Sequence, residues 1–77
     1  MRVALITPYP PTARNGNAHT ALRWARFLRS AGHEVDVAVE WNSEPADAMI
    51  ALHARRSYAA IDAFARTYPQ RPLVVLR

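Results

Sequence analysis

The chain has 77 residues, no cysteine and a formal net charge of +4, and its ten basic residues are all arginine. At that length it builds one thin core that buries only about 60% of the unfolded surface, and it falls short of the about 100–150 residues of a usual domain. The absence of cysteine excludes disulfides and thiolate metal sites and fits a reducing cytoplasm. The scattered arginines do not make the basic face of a nucleic-acid binder, and the apolar run after Arg2 is too short for a signal peptide or a membrane span.

Val3-Ala4-Leu5-Ile6 is a continuous apolar run, the pattern of a strand buried on both faces. Thr7-Pro8-Tyr9-Pro10-Pro11 ends it, because proline removes backbone donors and forbids helix. After a polar loop, a helix starts near Asn17 or Ala18, with Asn17 as its N-cap. Ala18, Ala21, Leu22, Ala25 and Leu28 recur at helical spacing and form its inner stripe. Arg23, Arg26 and Arg29 read as a solvated face, and Trp24 and Phe27 lie off the stripe as packing residues or contacts for a second domain. Gly32 sits where a left-handed C-cap costs least.

Val35, Val37 and Val39 then alternate with Asp36 and Ala38 as a second strand. Trp41 to Pro45 is a loop, too short for a crossover helix, and Ala48 to Leu52 is a third strand. Ser57 caps a second helix through about Tyr68, with Ala60, Ile61, Phe64 and Ala65 inward. Pro69 and Pro72 close it and Leu73 to Leu76 is the last strand. The order β-α-β-β-α-β predicts a Rossmann-like α/β fold with a parallel sheet, whose ligands bind at the C-terminal ends of the strands. The last strand has no helix after it to cover a face, so the chain reads as an incomplete domain of a larger protein.

Familiar phosphate motifs are missing. Gly16 stands without the other glycines of a dinucleotide fingerprint, and without lysine there is no P-loop. His19, His33 and His53 lack metal-ligand spacing, so neither metal nor cofactor is expected. Two segments carry chemistry. Gly16-Asn17 opens a helix, whose free N–H groups attract anions; the same pair also makes an ordinary turn and cap. His53-Ala54-Arg55-Arg56-Ser57 puts two guanidinium groups at a strand tip beside a helix start, which suits an oxyanion. His53 can donate to a ligand oxygen or move a proton. From spacing alone, a solvated loop with a capping serine is the favoured reading of that segment.

These residues also resemble a known family. Gly16, Ala25, Leu28 and Gly32-His33-Glu34-Val35-Asp36-Val37 are similar to the first βαβ unit of GT-B glycosyltransferases. Within that superfamily, RVALITP at Arg2 to Pro8, GN-x-x-T-ALRWAR at Gly16 to Arg26, Glu40-Trp41, ALHARRS at Ala51 to Ser57 and PLVV at Pro72 to Val75 resemble the selenosugar synthases of selenoneine biosynthesis. The resemblance covers nearly the whole chain. It implies two Rossmann-like domains with the active site between them, of which residues 1–77 are the acceptor-side, N-terminal part. The partners it implies are selenophosphate, a UDP-sugar (UDP-N-acetylglucosamine or UDP-glucose) and the missing C-terminal nucleotide-sugar domain. Selenium joins the anomeric carbon, UDP leaves, and phosphate is then lost to give a selenosugar.

With that resemblance, the substrate-binding candidates are Gly16, Asn17, Thr20, His53, Arg55, Arg56 and Ser57, and His53 is the one catalytic candidate. The departures are the end at Leu76-Arg77, where the family continues into a T-G-T-D-like loop, and the missing nucleotide-sugar domain. The 77 residues alone are therefore expected to be inactive. Two other readings stay open: a GT-B enzyme with a hydroxyl acceptor, and a Rossmann-like anion- or nucleotide-binding module without catalysis.

Overall fold

The computed structural model describes residues 1–8 and 16–76, with the side chains of 16–18 outside that description. Its elements are β1 (Arg2–Ile6), α1 (Gly16–Ser30), β2 (Glu34–Ala38), β3 (Ala48–Leu52), α2 (Tyr58–Thr67) and β4 (Leu73–Leu76), in the expected order. The strands form one sheet in the order β2-β1-β3-β4, and every pairing is parallel. This is an α/β architecture compatible with a Rossmann-like fold. Among the described residues no helix is long and apolar enough to cross a membrane.

The central strand β1 is buried from Val3 through Ile6, which is why its sequence is apolar without alternation. The edge strands differ. Only Val35 of β2 is buried, and Val74 and Val75 of β4 are exposed. The crossover from β1 to β2 and the one from β3 to β4 run in opposite directions across the sheet. A common hand therefore puts their helices on opposite faces. The packing agrees: Ala21 and Ala25 of α1 cluster with Val3, Leu5, Val35 and Leu52, whereas Ala60 and Phe64 of α2 cluster with Ala4, Ile6, Met49 and Ala51.

The link between β2 and β3 has to cross β1 and has no helix with which to cover it. Trp41 takes that place on the α2 side, edge-on to Phe64 at 5.4 Å and to Tyr68 at 6.1 Å. Its indole N–H donates to the Glu44 carbonyl at 3.2 Å. Arg71 holds the far end of the link, stacking 3.8 Å from the Tyr68 ring centroid and donating to the Ala46 carbonyl at 2.6 Å.

The stop of α1 is as its sequence predicts. Gly32 has φ 94°, its N–H reaches the Arg29 carbonyl at 3.0 Å, and the His33 N–H reaches the Leu28 carbonyl at 3.1 Å. That bond pair is the Schellman motif, in which a left-handed glycine turns the chain. Its start differs. The helix begins at Gly16, so Asn17 lies in the first turn instead of capping it. The side chains of Gly16, Asn17 and Ala18, and the loop from Tyr9 to Asn15, fall outside the described residues.

Two inward assignments change as well. Leu22 is 40% exposed, because α1 sits close to the sheet on Ala21 and Ala25 and covers only a narrow stripe. Ala65 is exposed, one residue past buried Phe64 and about 100° round the helix from it. Trp24 and Phe27 are exposed and pair edge-to-face at 6.3 Å.

Candidate functional site

The strands end together at one side of the sheet, and a cleft of about 640 Å³ opens there on the α2 side. Its size lies within the roughly 300–1,000 Å³ of small-ligand pockets. Pro8 after β1 and Val39, Glu40 and Trp41 after β2 form one wall; Arg56, Ser57, Ala59, Ala60 and Ala63 form the other. Ala59 and Ala63, one helical turn apart, present only methyl groups, so the flank of α2 stays open.

His53 builds the turn that brings Arg56 and Ser57 to this cleft. Its φ is 61°, the left-handed region that few residues other than glycine adopt. Its N–H donates to the Leu76 carbonyl at 2.8 Å, and its carbonyl accepts from Arg56 N–H at 3.1 Å and Ser57 N–H at 3.0 Å. The strand thereby reverses into α2 within a few residues. Unfavourable backbone at such a point is held by its surroundings and is common where ligands bind.

Ser57 stands at the N-cap position of α2 but does not cap it. Its buried hydroxyl donates to the Leu52 carbonyl at 2.7 Å. The register explains why. Extending Ile6↔Ala51 by one ladder step would bring the N–H of residue 8 to Leu52, and Pro8 has none. The serine supplies the donor that proline lacks. In consequence, no side chain of Ser57 satisfies the first-turn N–H groups of α2, which carry partial positive charge beside Arg56.

The structure thus brings Arg56 and Ser57 of the predicted residues into one cleft. Arg55 is exposed and outside its walls; His53 is half-buried and acts there through its backbone; Thr20 is half-buried on α1, on the other face. Glu40 is exposed on the wall opposite Arg56, and among the described residues its carboxylate has no hydrogen-bond or ion-pair partner. In the sequence, Glu40 and Trp41 stand out only as the Glu40-Trp41 pair of the family resemblance. Their signal was position: an acid and an aromatic directly after the second strand, at the end where such sheets bind ligands. Among the described residues no group of three or more His, Asp or Glu side chains can hold a metal ion.

No protein-family model matches the chain, and no curated protein matches it.

Proposed function

We propose that this chain is the acceptor-side part of a GT-B glycosyltransferase of the selenosugar synthase kind, which joins selenophosphate to the sugar of a UDP-sugar. The observation that carries the reading is Arg56 beside the uncapped start of α2, in a cleft at the C-terminal strand ends. A guanidinium forks onto two oxygens of a phosphoryl group, and free helix N–H groups add further donors. Held by its oxygens, selenophosphate keeps its selenium free to attack the anomeric carbon. The C–Se bond forms as the bond from that carbon to the UDP oxygen breaks, and water then cleaves P–Se to release phosphate. The resemblance of ALRWAR and ALHARRS to the synthases supplies the identity of the nucleophile.

The test is UDP release by the native gene product that carries these residues, supplied with selenophosphate and UDP-N-acetylglucosamine or UDP-glucose. UDP release that requires selenophosphate is expected. Arg56→Ala should weaken selenophosphate binding by at least about tenfold, the weight of one charge-assisted hydrogen bond. Arg55→Ala, outside the cleft, should leave it within about twofold. Release driven by a hydroxyl acceptor would replace the reading with an ordinary GT-B enzyme. Selenophosphate binding without turnover would replace it with a binding module.

A further inference from the structure

The cleft has two chemically different ends. Arg56 and the start of α2 offer donors on one wall; Glu40 offers only acceptors on the other, with the Trp41 ring beside it. A bare phosphate-sized anion matches the first end, fills a small part of about 640 Å³, and leaves Glu40 in the same cleft without a donor. A ligand that fits both ends carries its negative charge at one end and hydroxyl donors at the other. Its hydroxyl-bearing body is also flat enough on one side to lie against an indole.

We infer that the cleft binds a sugar phosphate as one unit: the phosphoryl group at Arg56, the ring hydroxyls donating to the Glu40 carboxylate, and a C–H face of the ring against Trp41. Three features of Glu40 and Trp41 support this. Glu40 is exposed and has no partner among the described residues to occupy its acceptors. Trp41 is half-buried and fixed by Phe64, Tyr68 and its N–H bond to Glu44, so its ring is already ordered before a ligand arrives. Glu40 and Trp41 are adjacent in sequence, immediately after β2, so one short segment positions both.

The inference rests on the transferase reading for its biological meaning. There it assigns to this domain the sugar ring together with the phosphoryl group, the shape of the product in which the two are joined through selenium. It does not rest on that reading for its test. The probes are inorganic phosphate, glucose and glucose 1-phosphate, titrated into the chain and followed by nuclear magnetic resonance, with the indole N–H of Trp41 as local reporter. Glucose 1-phosphate should bind at least about tenfold more tightly than inorganic phosphate, one charge-assisted hydrogen bond's worth. It should also shift the Trp41 indole signal, which phosphate alone should leave in place.

Glu40→Gln should remove that preference, bringing glucose 1-phosphate down to the affinity of phosphate while phosphate itself binds as before or more tightly. Glu40 is exposed, and an unchanged melting temperature confirms that the variant is folded. Equal affinity for phosphate and glucose 1-phosphate in the parent chain overturns the inference, as does a preference that survives Glu40→Gln. If the preference holds but the native product releases no UDP, only the transferase reading falls. If UDP is released but no preference exists, only this inference falls.

Discussion

The two faces of the sheet are packed differently. On the α1 side the strands bring the bulk, with Val3, Leu5, Val35 and Leu52, and the helix is flat, with Ala21 and Ala25. On the α2 side the strands mix small and large, Ala4 and Ala51 with Ile6 and Met49, and the helix and the β2–β3 link add aromatic bulk from Phe64, Trp41 and Tyr68. Protein interiors pack to one density, so each layer must match large against small. The choice between the two arrangements has a consequence for function. An alanine seam lets α1 lie close to the strands. An aromatic wedge holds α2 and the β2–β3 link apart, and the cleft lies between their upper ends.

That contrast breaks first at Phe64, a fully buried side chain of the α2 face with ring contacts to Trp41 and to Tyr68, the latter at 5.4 Å. Phe64→Ala should cost about 3–5 kcal/mol, the range for a buried phenylalanine. That is much of the about 5–15 kcal/mol available to a small domain, and urea denaturation measures it. The Trp41 indole should then lose its ordered environment, so the cleft wall loosens together with the core. A cost near 1 kcal/mol would mean that the wedge is not what holds this face.

The α1 face responds to the reverse change. Ala25→Leu pushes three more carbons into a seam where residue 25 is fully buried, and should cost about 1–3 kcal/mol by overpacking. Ala65→Leu on exposed α2 surface is the comparison, expected within about 0.5 kcal/mol of the parent. Thermal melts of the two variants side by side sharpen the point, because the same substitution is read against opposite local packing.

Much of this architecture is legible in the chain. The unbroken apolar run of β1, the Val alternation of β2, and Gly32 at the end of α1 each report a local physical demand, and the elements follow. What the sequence does not announce comes from contacts between distant segments. Leu22 has helical spacing for burial, but how closely α1 approaches depends on Ala21 and Ala25 against strands elsewhere. Ser57 has the residue type of a cap, but its hydroxyl is claimed by Leu52 because Pro8, some fifty residues earlier, cannot donate. Arg56 is found from sequence because cations at strand tips are a known signal. Glu40 is not singled out from sequence because one acid after a strand points to no particular chemistry, and only the fold brings it to the same cleft as Arg56.

The smallest effect tests how each helix is pinned to the sheet. On one side Arg29 donates to the Val35 carbonyl of edge strand β2 at 2.7 Å; on the other, Ser57 donates to Leu52. Both bonds close a carbonyl left over by the ladder, but one is partly exposed and the other buried. Water can replace Arg29, so Arg29→Ala should cost about 0.5–1 kcal/mol. Nothing can replace Ser57 beside a proline, so Ser57→Ala leaves a buried carbonyl unpaired and should cost about 1–2 kcal/mol. Ser57→Asp separates this from capping. An aspartate is a good N-cap for α2, yet ionised it offers no proton to Leu52 and sets a negative charge against that carbonyl. Destabilisation by Ser57→Asp at least as large as by Ser57→Ala, in the same urea titration, identifies the bond to β3 as the role of this serine. A gain in stability would return it to the helix.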